Sequence, residues 1–143
     1  LVDNLAMQLV IRPSDFDVVL AGNLFGDILS DLGGAIAGSI GLLGSASLNA
    51  DGFGMYEAVH GTAPDIAGKG IANPLGTLAG VVLMIEQWGE KRAAKRLQQT
   101  QEALLSEGYR TADLMQPNAV SLQQVTTNEL VNLFLTKIRE AVR

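Results

Sequence analysis

Two aspartates lie four residues apart in Phe25-Gly-Asp27-Ile-Leu-Ser-Asp31. On a helix that spacing projects both carboxylates from one face, about one turn apart. Left alone they repel by roughly 0.2–0.5 kcal/mol, and a bound cation reverses the sign. With no cysteine and one histidine in the chain, such a site would be built of hard oxygen ligands, which suit Mg²⁺ or Mn²⁺ rather than zinc. A plainer reading stands beside this one: the pair is solvated, or favoured by the positive end of a helix dipole. Two features favour the cation. The pair follows an expected strand that ends in Gly22-Asn23, the kind of carboxyl edge where ligands collect in open α/β sheets. The rest of that helix is apolar or small.

The second chemical segment is Glu57-Ala-Val-His60-Gly-Thr-Ala-Pro-Asp65-Ile-Ala-Gly-Lys-Gly-Ile-Ala-Asn73-Pro74. It sets an imidazole, a carboxylate and an amide in glycine-rich backbone ahead of a helix start, so it can surround a polar ligand. Gly68-Lys-Gly70-Ile-Ala-Asn73 approaches the dinucleotide fingerprint but lacks its third glycine and does not directly follow a strand, which excludes a Rossmann assignment. On residue type alone His60 could be a satisfied structural histidine, and Asp65 after Pro64 could be a turn former.

The elements that must position these groups alternate. Leu5, Ala6, Leu9 and Val10 have helical spacing over Asp3–Val10, closed by Arg12-Pro13. Phe16–Ala21 is a short apolar run bounded by turn residues and predicts a buried strand. A helix is expected from about Leu24 to Ser39, its Gly34-x-x-x-Gly38 open to close helix packing either between or within subunits. Strands are expected at Leu42–Leu48 and Met55–Val59 around the turn material Asn49–Gly54. Asn73 as N-cap and Pro74 at the first turn start a helix running to Trp88. Gly89 separates it from an amphipathic helix over Glu90–Ser106, which Gly108 stops. Thr127 or Thr126 caps a last helix with Glu129 near its start, and Leu130, Leu133, Phe134 and Ile138 form its inward stripe.

The 143 residues suit one domain, and 48% hydrophobic with 17% charged residues is ordinary for a chain that buries a core. A net charge of -5 with scattered basic residues argues against a nucleic-acid partner. The uncharged stretch between Asp31 and Asp51 is too rich in Gly and Ser for a membrane span. Absence of cysteine fits a reducing cytoplasm. The chain opens on Leu1 and reads at once as helix, so an upstream part of the same domain is expected.

In order and spacing, Gly22-Asn-Leu-Phe-Gly-Asp-Ile-Leu-Ser-Asp31, Gly38-Ser-Ile-Gly-Leu-Leu-Gly-Ser-Ala-Ser-Leu48 and His60–Pro74 resemble the isocitrate/isopropylmalate dehydrogenase family. The resemblance runs from Val2-Asp3 to Gly108-Tyr-Arg-Thr-Ala-Asp113 and, more weakly, through the last helix. It implies the family's layered α/β fold, incomplete here, with residues 1–143 as the C-terminal part of its domain. It also implies NAD-linked, metal-requiring oxidative decarboxylation of a 2-hydroxy acid, with Mg²⁺ or Mn²⁺ chelating the substrate's hydroxyl and α-carboxylate. Asp27 and Asp31 would be metal ligands, and Asp3 would serve the partner subunit's site in a homodimer. His60, Gly61 and Ala63 would line the adenosine pocket, Asp65 would accept from the adenosine ribose hydroxyls, and Asn73 and Asp113 would contact adenine. NADP-using relatives tend to carry Lys-Tyr where this chain has Asp65-Ile66, and a carboxylate there repels a 2′-phosphate, so NAD is expected.

Within the family, Leu24-Phe25 and Ser45–Leu48 look closest to the isopropylmalate branch, the leucine-biosynthetic one, whereas Leu32-Gly33 resembles the tartrate and D-malate branch. Isocitrate is the other substrate the family offers. Gly44 and Ala58 stand where proline is common. The family's substrate-binding arginines, catalytic tyrosine and lysine fall outside this stretch, so no catalytic residue is assigned and the fragment alone is expected to be inactive. A noncatalytic regulatory or assembly homologue is the alternative of a different class; the retained Asp3, Asp27 and Asp31 speak against it. An incomplete domain is also expected to expose apolar surface.

Overall fold

The computed structural model describes residues 1–117 and 120–142. The chain forms two compact units, Leu1–Ile40 and Gly41–Arg143.

In the first unit, α1 (Val2–Ile11) ends where the Arg12 N–H donates to the Gln8 carbonyl at 2.8 Å. The Arg12 guanidinium also reaches the Gln8 side chain at 2.8 and 3.0 Å and Asp15 at 3.4 Å. A single 3₁₀ turn, Pro13–Asp15, follows, since proline supplies a helical φ without needing a donor. The strand expected at Phe16–Ala21 does not form. Phe16 is extended (φ -115°, ψ 115°), but Val18 and Leu20 are 87% and 97% exposed, and no ladder among the described residues includes this segment. A strand exists only where a neighbour takes its N–H and C=O groups, and none lies beside this one.

Helix α2 (Asn23–Ala37) then carries Leu29 and Gly34 inward. It stops at Gly38, whose φ of 105° is left-handed. The Gly34-x-x-x-Gly38 pair is therefore not one packing motif: Gly34 is buried in the helix, and Gly38 terminates it.

In the second unit, β1 (Gly44–Leu48) and β2 (Gly54–Ala58) form an antiparallel hairpin with Ala46 opposite Tyr56. The Asn49 side chain builds its turn by accepting from the Asp51 and Phe53 N–H groups at 3.0 and 2.9 Å, the usual service of Asn at a turn. Helix α3 (Leu75–Gln87) lies against this hairpin through glycine. A Cβ at Gly44 would stand 2.5 Å from the Gly80 nitrogen, and one at Gly80 3.1 Å from the Glu57 carbonyl oxygen. Backbone thus meets backbone, and the missing side chains of Gly44 and Gly80 permit the close approach.

Gly89 and Gly108 are both left-handed and bound α4 (Lys91–Ser106) as expected. Two short strands, β3 (Tyr109–Arg110) and β4 (Gln123–Gln124), pair in parallel, and α5 (Thr127–Val142) follows. Thr126 and Glu129 form a reciprocal capping box: Glu129 Oε2 accepts from the Thr126 N–H and hydroxyl at 2.8 Å each, while the Glu129 N–H donates to Thr126 Oγ1 at 3.3 Å. These bonds hold the Glu129 carboxyl below its ordinary range, the Thr126 backbone bond contributing most.

The core of this unit is Leu75, Leu104, Leu130 and Phe134, flanked by Leu42, Leu78, Leu97, Leu133 and Ile138. It draws on α3, α4 and α5, and each fully buried Leu contributes roughly 1.5–3 kcal/mol. The stripe expected on α5 packs as its period requires. Lys137 on α5 also pairs with Glu107 at the end of α4. The result is a mixed α/β arrangement of small sheets and helices.

Candidate functional site

Asp27 and Asp31 are exposed on α2. Neither lies in the first turn, which is free of acidic residues. Because the dipole effect fades within one turn, it does not account for the pair. Asp27 meets only a marginal donor, Asn23 Nδ2 at 3.5 Å, and no ion pair among the described residues engages either aspartate. Two hard carboxylates with open lone pairs fit a divalent cation. Asp3 sits in the first turn of α1, exposed, where the dipole favours it. Among the described residues no three carboxylates or imidazoles come together as a metal site, so Asp3 does not join Asp27 and Asp31 within one chain.

The second unit carries the glycine-rich loop. The Val59 N–H donates to Leu43 O at 3.0 Å, carrying the hairpin ladder up to His60. The histidine's Nδ1 lies 2.8 Å from the Gly61 carbonyl. A carbonyl only accepts, so in this contact Nδ1 is the donor. Two successive turns follow, Ile66 N–H to Ala63 O and Lys69 N–H to Ile66 O, each 3.1 Å. Ala63 has φ 42°, a left-handed conformation that costs a non-glycine residue about 1–2 kcal/mol. Strain of this kind collects at ligand clamps. Asp65 is exposed, and among the described residues no hydrogen bond or ion pair of its side chain is seen.

The far end of the loop is fastened in two places. Thr127, the first residue of α5, donates its N–H to Gly70 O at 2.9 Å and its hydroxyl to Ala72 O. Asn73, only 8% exposed, accepts the Leu75 N–H at Oδ1 (3.0 Å), although α3 begins one residue later than expected, with Pro74 rather than Asn73 at the cap position. Its Nδ2 donates to Asp113 Oδ2 at 3.0 Å. The other oxygen of Asp113 accepts from the Thr111 hydroxyl at 2.6 Å. Asn73 and Asp113, both implied by the resemblance as adenine contacts, are thus direct partners across 40 residues of chain.

The residues that sequence reasoning missed are the two threonines, Thr111 and Thr127. Thr111 stands two before Asp113, a spacing at which a hydroxyl and a carboxylate can meet locally, and that was its available signal. Thr127 stood out only as a helix cap.

The sequence model of the family described as "Isocitrate/isopropylmalate dehydrogenase" matches residues 1–134. A 3-isopropylmalate dehydrogenase of Halalkalibacterium halodurans is 54% identical over 122 residues, covering 85% of this chain and 34% of the relative. One from Prochlorococcus marinus (strain NATL2A) is 50% identical over 139 residues, covering 96% and 38%. Among solved structures, isocitrate dehydrogenase from Methylococcus capsulatus superposes with a TM-score of 0.85 at 39% identity, over 96% of this chain and 39% of that one. A β-decarboxylating dehydrogenase from Thermococcus kodakarensis in its apo form gives 0.83 at 34% identity, over 99% and 40%. The chain therefore spans little more than a third of the curated relatives it matches.

Proposed function

The chain belongs to the isocitrate/isopropylmalate dehydrogenase family, and from that premise we propose that the whole protein oxidises and decarboxylates 3-isopropylmalate with NAD and a divalent metal, in leucine biosynthesis. The observation that carries the substrate is the identity of about half to relatives named 3-isopropylmalate dehydrogenase. The geometry supports the rest.

Asp27 and Asp31 would hold Mg²⁺ or Mn²⁺ through carboxylate oxygens that, among the described residues, no cation occupies, and Asp3 would complete the site of a second copy in a homodimer. When bound, the ion supplies Lewis-acid polarisation of the substrate's oxygens, and the dinucleotide supplies the hydride acceptor. His60, Gly61 and Ala63 wall the adenosine pocket, with the backbone turned by the strained Ala63. Asp65 accepts from the ribose hydroxyls and disfavours a 2′-phosphate by charge repulsion, worth about 1 kcal/mol at 4 Å even in bulk water. Asn73 and Asp113 form the adenine end. The proton-transferring groups belong to the remaining length that the relatives possess, and this stretch alone is inactive. The compartment is the cytoplasm; among the described residues no helix is long and apolar enough to cross a membrane.

A second reading, another hydroxy acid of the same family, is favoured by the superposition on an isocitrate dehydrogenase and by Leu32-Gly33. A noncatalytic regulatory or assembly homologue is opposed by the two open aspartates. Turnover of 3-isopropylmalate, isocitrate, D-malate and tartrate by the full-length protein with NAD and Mn²⁺ separates these readings. Preference for 3-isopropylmalate, abolished by chelator, is expected. Preference for another acid, or activity undiminished in chelator, contradicts the proposal.

A further inference from the structure

We infer that Thr111 is a positioning residue for cofactor recognition: its buried hydroxyl fixes the Asp113 carboxylate beside the Asn73 amide, and so sets the discrimination between purines. The inference rests on the proposed NAD site and adds to it a residue that would touch neither substrate nor cofactor.

Asp113 is exposed, on a single 3₁₀ turn, Ala112–Leu114. A carboxylate on so short an element has several rotamers open to it. Two buried donors select one of them. Thr111 is fully buried, and its hydroxyl lies 2.6 Å from Asp113 Oδ1, within the short range of a charge-assisted O–H···O⁻ bond. The Asn73 amide takes Oδ2 at 3.0 Å. Asn73 is itself held, because its Oδ1 accepts the Leu75 N–H. The hydroxyl, carboxylate, amide and first turn of α3 thus form one chain of hydrogen bonds.

What this chain leaves toward solvent has a definite polarity. An ionised carboxylate only accepts and an amide nitrogen only donates, so Asp113 sets an acceptor beside the donor Asn73 Nδ2. An acceptor beside a donor complements a 6-aminopurine, whose N6–H donates next to an accepting ring nitrogen. It mismatches a 6-oxopurine, which accepts at O6. Should Asp113 rotate, the acceptor leaves the donor's side and the discrimination falls. The Thr111 hydroxyl, 2.6 Å from Oδ1, opposes that rotation.

The test uses the full-length protein, with KM and kcat measured for NAD and for nicotinamide hypoxanthine dinucleotide. Thr111→Val keeps the volume and removes the hydroxyl; it is expected to raise KM for NAD at least about tenfold, the effect of losing a bond to a charged group, with kcat nearly unchanged. Its preference for NAD over the hypoxanthine analogue should shrink, and Thr111→Ser should restore both. In an Asp113→Ala background Thr111→Val should add nothing. Should the valine variant fail to fold, Thr111→Ala serves in the same comparison. A Thr111 variant that lowers thermal stability but leaves both KM and the preference intact overturns the inference while the NAD site stands. An unsubstituted protein that does not saturate with NAD overturns the site and the inference together.

Discussion

Asp27 and Asp31 show what a residue pattern does and does not announce. Their spacing was plain, but whether a helix dipole explained them depended on where α2 began. The structure starts it at Asn23 and leaves its first turn without acid, so the dipole does not account for the pair, and among the described residues no ion pair engages either carboxylate. Asp27→Asn removes one ligand charge. In the full-length enzyme the Mn²⁺ concentration for half-maximal activity should rise by more than about tenfold, the lower end of what even an outer partner of a metal site contributes; an unchanged metal titration would remove Asp27 from the site. The network at Asn73 was legible only in halves. Each residue carried a family role, yet the bond joining them crosses 40 residues, and no local rule pairs positions so far apart.

At the scale of elements, helices were readable because their signals are local. The capping box at Thr126 and Glu129 lies within four residues, and its consequence for acid stability has a definite sign. The folded Glu129 carboxyl titrates below its ordinary value of 4.5, so its contribution is complete above that pH and is lost as pH falls through the lowered folded value. The stability difference between the full-length protein and its Glu129→Gln variant, measured by urea unfolding, should therefore narrow as pH drops from about 6 to about 3. A gap that widens on acidification would contradict the box. Strand Phe16–Ala21 failed for the opposite reason: pairing is nonlocal, and alternation cannot say whether a neighbour is present. The hairpin did form, and its seat on α3 depends on absent side chains. Gly44→Ala drives a Cβ to 2.5 Å from the Gly80 nitrogen; overpacking of this kind costs about 1–3 kcal/mol, readable as a lower urea midpoint with an unchanged slope. An unaltered midpoint would show that α3 can move away freely.

Considered whole, the described residues are unevenly provided with core. Eleven of the seventeen exposed large hydrophobics lie in Leu1–Ile40, where Leu29 is the one buried hydrophobic side chain. Large hydrophobics exposed in this number are in keeping with a stretch that covers 34% or 38% of its relatives. The 143-residue chain by itself should accordingly self-associate with rising concentration in sedimentation velocity, and a monomer across the whole range would contradict that expectation.

The loop from His60 to Asn73 remains the centre of the account, because it joins a site legible from residue order to one whose geometry makes a prediction of its own. Asp65 is exposed, and in the proposed function it is the residue assigned to select the cofactor. The most direct measurement is the ratio of kcat/KM for NAD to that for NADP in the full-length enzyme, before and after Asp65→Lys. The account predicts a strong NAD preference that falls by at least about tenfold, as expected when one repulsive charge is replaced by an attractive one. A ratio that the substitution leaves unchanged would contradict it.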